Sequence, residues 1–325
     1  MLVLCLVIFS LCLSFSRQDL LYELALKQGL NFTEAESILE YERHGTKRQA
    51  PFRYKSGIPQ SRICGINGRS LNRIRRQNTV EDERPQGSED WPWMALLVSK
   101  SDGPGYGDWF CGGSLLNSRY VLTAAHCFYS KGARSKDESD FYVRLGEYDT
   151  GDYAETETQE FDVDKLIVHP EYDPAVNIND IAILKLNQTV QYTQYVRPIC
   201  LPGAEPRVNE DTIVAGWGLT AYQGSKSHLL LYVDLPVRDL NECRDALFDS
   251  PVHDSNICAG PETGGKDSCN ADSGGPLMYQ GNGKRWESVG IVSWGRRCGE
   301  AYPGVYTSVV KFLKFIGDII THASA

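Results

Sequence analysis

The chain divides by the way its apolar residues are spaced. Residues 2–13 read Leu-Val-Leu-Cys-Leu-Val-Ile-Phe-Ser-Leu-Cys-Leu, a nearly continuous apolar run with no amphipathic period. Residues 17–45 carry a helical pattern, in which Thr33-x-x-Glu36 forms a capping box ahead of Ile38, Leu39 and Tyr41. Residues 46–90 lose that period and scatter Gly and Pro among polar residues, the pattern of an exposed linker. From Trp91 onward, short β-rich segments alternate with turns: Trp93–Val98, Tyr120–Thr123, Phe141–Leu145, Ile181–Leu186, Ser288–Ser293 and Gly304–Val309. Such regular short strands predict an all-β sandwich or barrel. Val310, Leu313, Ile316 and Ile320 then fall at helical spacing and predict a packed C-terminal helix.

The N-terminal run is shorter than the ~20 residues needed to span a bilayer. Ser14-Phe15-Ser16 comes directly after it with a small-x-small pattern, and Arg17 is next. Residues 1–16 are therefore expected to be a signal peptide and the product to be secreted. No later stretch approaches ~18 apolar residues, so no membrane span is expected. Removing residues 1–16 takes Cys5 and Cys12 and leaves Cys64, Cys111, Cys127, Cys200, Cys243, Cys258, Cys269 and Cys298. An even number in a secreted chain reads as four disulfides, with the connectivity open. Zinc ligation would want close pairs such as CxxC, and the sequence has none. Asn31-Phe-Thr33 and Asn187-Gln-Thr189 are short acceptor patterns for N-glycosylation.

Charge refines the division. The formal net charge is −9, yet residues 17–76 hold 12 Lys/Arg against 6 Asp/Glu, so the excess acid lies within residues 77–325. An acidic main module argues against nucleic-acid binding, which runs on clustered basic charge. The basic stretch, with the pairs Lys47-Arg48 and Arg75-Arg76, reads as a prosegment that proteases can reach. The expected layout is a signal peptide at 1–16, a basic prosegment at 17–76 and a catalytic module at 77–325.

Three stretches carry chemistry: Leu122-Thr-Ala-Ala-His126-Cys127, Asn179-Asp180-Ile-Ala-Ile-Leu, and Asp267-Ser-Cys-Asn-Ala-Asp272-Ser273-Gly-Gly-Pro276. Taken singly, each has a bland reading: a core histidine, a turn carboxylate, a tight glycine loop. Together they supply a hydroxyl that needs a base, an imidazole that titrates near neutral pH, and a carboxylate to orient it. The order His…Asp…Ser is one of three known arrangements of this triad.

With Trp91-Pro-Trp93, Cys111-Gly-Gly-Ser114, Arg197-Pro-Ile-Cys200-Leu-Pro202, Ala215-Gly-Trp217-Gly218 and Val292-Ser-Trp294-Gly295 in order, the chain from Trp91 to Ile320 resembles the chymotrypsin/trypsin family of serine endopeptidases. The resemblance implies two six-stranded antiparallel β-barrels with a C-terminal helix. It implies His126 as general base, Asp180 as its orienter and Ser273 as nucleophile. It also implies the pairings Cys111–Cys127, Cys243–Cys258, Cys269–Cys298 and Cys64–Cys200, the last tethering the N-terminal segment after cleavage. Asp267 falls where trypsin-like members keep the carboxylate at the base of the primary pocket. Ser268, Gly295 and Gly304 fall on that pocket, and Ser293-Trp294-Gly295 on the edge that pairs with substrate backbone. Protein substrates cut after Arg or Lys are therefore expected, together with an activating protease and protease inhibitors as partners. No cofactor is expected. Glu147, Asp149, Asp152, Glu155 and Glu157 crowd a loop where some members bind calcium and where a solvated acidic loop is the alternative.

Two positions depart from the family pattern. The oxyanion hole implied by the resemblance uses the N–H groups of residues 271 and 273, and residue 271 is Ala rather than Gly. A backbone with positive φ there would cost Ala about 1–2 kcal/mol. Asp272, the acid that pairs with the new N-terminus on activation, is present, but no Ile-Val-Gly-Gly segment precedes the module. These departures raise a rival from another class, a catalytically impaired homologue that acts as a binding protein or cascade cofactor.

Overall fold

The computed structural model describes residues 52–53, 58–61, 63–67, 88–100, 108–152, 158–218, 225–261, 272–280, 285–296 and 302–322. The expected signal peptide, the helix expected at 17–45, Asn31, both basic pairs, Asp267, Ser268, Cys269, Ala271, Cys298, Glu155 and Glu157 lie outside the described residues.

A short hairpin pairs β1 (Phe52–Arg53) with β2 (Pro59–Gln60). The first barrel uses β3 (Met94–Ser99), β4 (Trp109–Asn117) and β5 (Tyr120–Thr123). A hairpin of β6 (Tyr129–Ser130) and β7 (Ala133–Arg134) comes next, and β8 (Phe141–Leu145), β9 (Gln159–Val168) and β10 (Ala182–Leu186) complete the barrel. It closes in the order β10-β5-β4-β3-β8-β9. β9 shows why a strand forms there: Phe161 and Val163 point inward, while Asp162 and Asp164 face solvent and pair with Lys100 and Lys185.

The second barrel takes β11 (Asp211–Gly216) and β12 (Leu231–Arg238), then a helix α1 (Leu240–Ala246). β13 (Asn256–Ala259), β14 (Pro276–Gln280), β15 (Trp286–Trp294) and β16 (Gly304–Ser308) close it in the order β11-β12-β13-β16-β15-β14. The expectation of two six-stranded antiparallel barrels is met. A 3-10 turn at Val310–Phe312 leads into α2 (Leu313–His322), which buries Ile316 and Ile320 as the periodicity required.

Aromatic residues weld the barrels together. Trp91 meets Trp286 of β15 edge to face at 5.0 Å and Tyr232 of β12 at 5.9 Å. Trp93 donates its indole N–H to Met278 Sδ of β14 at 2.9 Å. Such pairs add to area burial through ring electrostatics.

The exposed linker expected over 46–90 is corrected in its described parts. Gln60, Ile63, Cys64, Ile66, Asn67, Ser88 and Asp90 are buried. The Cys64–Cys200 disulfide draws the segment onto the body of the protein. Gln60 Oε1 accepts from Leu201 N at 2.6 Å, Gly65 N donates to Pro198 O at 2.8 Å, and Asn67 Nδ2 donates to Asp90 O at 2.6 Å. Gly65 has φ +69, and a Cβ there would stand 2.5 Å from Trp286 O, so only glycine permits this approach. Cys111–Cys127 and Cys243–Cys258 form as the resemblance implied.

Candidate active site

Strand register brings the first two site residues together. β5 and β10 run antiparallel with Thr123 opposite Ala182. The end of β5 therefore lies beside the start of β10, with His126 just past one and Asp180 just before the other. His126 sits in the 3-10 turn Ala125–Phe128, anchored by the Cys111–Cys127 disulfide. Asn179, with φ +56, makes the turn that delivers Asp180 inward.

The imidazole and carboxylate engage twice. His126 N donates to Asp180 Oδ1 at 2.8 Å, and Nδ1 lies 2.8 Å from Oδ2. The Asp180 side chain is 0% exposed and that of His126 is 23% exposed. Burial alone would push the imidazole pKa down, but the opposite charge of Asp180 and its hydrogen bond prevail and hold it above the ordinary value of 6.5. Nearby, Tyr172 meets Tyr129 edge to face at 5.0 Å and donates to Asn177 Oδ1 at 3.1 Å. Burial raises its phenol pKa, with the charges of Asp180, Tyr129 and Asp173 adding to the effect. Tyr172 is therefore protonated wherever His126 titrates.

Ser273 arrives from the second barrel on the turn before β14. Gly274, with φ +81, is the next residue, and a Cβ at that position would run into Thr123 Oγ1 and Gly112 O. Gly112 N donates to Ser273 O at 2.8 Å, and Gly275 N to Asp272 O at 2.8 Å. The serine loop is thus clasped by β4 and β5, the strands that position His126. Among the described residues, Ser273 Oγ makes no hydrogen bond to His126, a link that unliganded sites commonly leave open until substrate arrives. Asp272 turns toward β11: Gly218 N donates to its Oδ1 at 2.9 Å, and Cβ atoms on Gly216 or Gly218 would collide with its carboxylate.

Ser293 does more than its sequence neighbourhood implied. The β15–β16 register shifts between Val292 and Trp294, so Ser293 is the bulged residue, and bulges re-aim side chains. Its hydroxyl donates to Asp180 Oδ2 at 2.5 Å, across the interface between barrels. Nothing in the alternation of β15 announces this bulge. Of the expected pocket residues, Trp294 is half-buried at the end of β15, Gly295 is exposed just beyond it, and Gly304 opens β16 opposite Ala259.

The described part of the acidic loop is mixed: Asp152 is exposed, but Glu147 is not solvated. Glu147 is buried, and its Oε2 accepts from Arg144 Nη1 at 2.9 Å, while Asp149 Oδ1 accepts from Gly151 N at 2.9 Å. Burial would lower the Arg144 pKa, but the Glu160 and Glu147 hydrogen bonds hold it above its usual value. Among the described residues, the carboxylates of this loop do not gather around a common point. The one cluster of metal-ligand type among them is Cys111, His126 and Cys127, whose sulfurs are joined in the disulfide.

Similarity to known proteins covers most of the chain. A family model described as Trypsin matches residues 80–316. The Proclotting enzyme of Tachypleus tridentatus is 36% identical over 284 residues, covering 84% of this chain and 72% of that protein. Serine protease 7 of Drosophila melanogaster is 39% identical over 280 residues, covering 81% of this chain and 68% of that protein. The Venom protease of Bombus pensylvanicus is 40% identical over 237 residues, covering 69% and 91%.

Proposed function

We propose, since the chain belongs to the trypsin family of serine proteases, that it is a secreted endopeptidase that hydrolyses protein substrates after Arg or Lys. Family members of this type need no cofactor, so every step falls to side chains and backbone. Ser273 Oγ attacks the scissile carbonyl while its proton passes to His126 Nε2. The tetrahedral oxyanion rests on the N–H groups of Ala271 and Ser273. The imidazolium then gives its proton to the leaving amine, and water repeats the cycle on the acyl-enzyme. Asp180 fixes the imidazole tautomer through Nδ1–H and stabilises its cationic form.

The observation that supports this reading best is the doubly bonded His126–Asp180 pair, its carboxylate fully buried, with the Ser273 loop bonded to β4 beside it. Asp267 and Ser268 supply the acid-floored pocket, with Gly295 and Gly304 as its small walls. The N-terminal leader directs secretion, residues 17–76 form the prosegment, and 77–325 the catalytic module. Asn187 is exposed on the turn after β10 and accepts a glycan. An activating protease, protein substrates and protease inhibitors are the partners.

Peptide hydrolysis by the processed protein tests the specificity. A peptide with Arg or Lys at the cleaved bond is expected to be cut, and one with Leu or Glu spared. Asp267→Ser removes one partner of a desolvated ion pair and is expected to cost about 3–5 kcal/mol, or roughly 10²–10⁴-fold in kcat/KM on the Arg peptide. An unchanged preference refutes the pocket assignment. Ala271 and the missing Ile-Val-Gly-Gly segment favour a second reading, a catalytically silent homologue that binds within a cascade. Labelling of Ser273 separates the two.

A further inference from the structure

The carboxylate of Asp180 is held from the first barrel by His126 and from the second by Ser293. Its main chain has a second tie across the same interface. Thr307 Oγ1 donates to Asp180 O at 2.9 Å. Thr307 is 1% exposed near the end of β16, paired with Asn256 on one side and Ile291 on the other. Its strand is therefore fixed by two neighbours, and its hydroxyl has a fixed origin. The loop it reaches is not a strand: it runs from His169 to Ile181 and turns through Asn177 and Asn179, both with positive φ. Loops of this kind depend on a few tertiary hydrogen bonds for their position. A buried carbonyl outside a strand ladder needs such a donor.

We propose that Thr307 is a positioning residue for catalysis, the second-barrel post that sets where Asp180 stands against His126. It touches neither substrate nor the reacting atoms. It acts through the Asp180 backbone, as Ser293 acts through the carboxylate, so the orienting acid is referenced to the barrel that also carries Ser273. This rests on the reading of His126, Asp180 and Ser273 as a triad. Among the described residues, the other titratable groups facing this locus are Tyr172, which feels the charge of Asp180, and Tyr129 and Asp173, which interact with Tyr172.

Two variants of the full chain test it. Thr307→Val keeps the shape and removes the donor, and Thr307→Ser keeps the donor. The primary readout is the NMR titration of the His126 ring, which needs no turnover. In the wild type its midpoint is expected above the ordinary imidazole value. In Thr307→Val the carboxylate is free to drift, the midpoint is expected to fall, and Thr307→Ser is expected to restore it. On an Arg peptide, Thr307→Val is expected to lower kcat about 10–100-fold with KM within about 2-fold, the signature of misplaced catalytic groups. The proposal is overturned if the Val variant titrates like the wild type, even with a lowered Tm, or if the Ser variant is as displaced as the Val variant. A wild type that titrates as expected but cleaves nothing would instead overturn the protease reading and leave the positioning claim standing.

Discussion

The two halves of the site are held in different ways. The imidazole–carboxylate half is closed by side-chain bonds: two from His126 to Asp180, one from Ser293 to the same carboxylate. Among the described residues, Ser273 itself is held through its backbone, by Gly112 N to Ser273 O and the left-handed Gly274. On the proposed mechanism, the contrast follows from what each group does. A base and its orienter must keep one tautomer and one geometry throughout the cycle, so fixing them in advance lowers the barrier. A nucleophile must leave its resting position to form a bond, and a fixed backbone with a free side chain permits that motion.

The largest test breaks the closed half. Asp180→Asn keeps the shape but offers an amide N–H where Nδ1–H needs an acceptor, and kcat is expected to fall about 10⁴-fold with the fold intact. A loss under tenfold would mean that the pair does not orient the base. A smaller effect is expected from disturbing the backbone half. Gly274→Ala forces a Cβ into left-handed backbone and onto Thr123 and Gly112. Strain and overpacking together are expected to cost about 2–5 kcal/mol. The melting temperature would fall, and Ser273 would be displaced while His126 still titrates above its ordinary value. An unchanged Tm would show that the loop relaxes without loss.

Much of this was legible in the sequence, for identifiable reasons. Tyr120–Thr123 and Phe141–Leu145 are found where the β-rich segments between turns placed them, buried almost throughout in the first barrel. The helix α1 was not legible: Asp239 caps it through Asn241 N and Glu242 N, but only Cys243 is buried, so there is no apolar period to read. The burial of Gln60 and Asn67 was hidden for a different reason. Polar residues look solvated in sequence, and here their partners are backbone groups of Leu201 and Asp90, remote along the chain. The three stretches carrying His126, Asp180 and Ser273 stood out because they set unusual residue types in apolar surroundings. The contacts of Ser293 and Thr307 with Asp180 were not legible, since one depends on a bulge and the other on a contact between barrels.

Protonation ties the two halves together. With its pKa raised by Asp180, His126 is charged at acid pH, and the ion pair stabilises the fold fully below about pH 6.5, the unfolded value. That contribution fades as pH rises through the raised folded value, and on the proposed mechanism the imidazole becomes, over the same range, the neutral base for Ser273.

The most direct measurement is therefore the rate at which a fluorophosphonate labels the processed protein, tracked against pH with the modified peptide identified by mass spectrometry. Labelling on Ser273 alone is expected, abolished in Ser273→Ala, with a rate that climbs as pH rises through a midpoint above 6.5. No labelling at any pH, or labelling of Ser273 at a rate indifferent to the protonation of His126, would contradict a working triad.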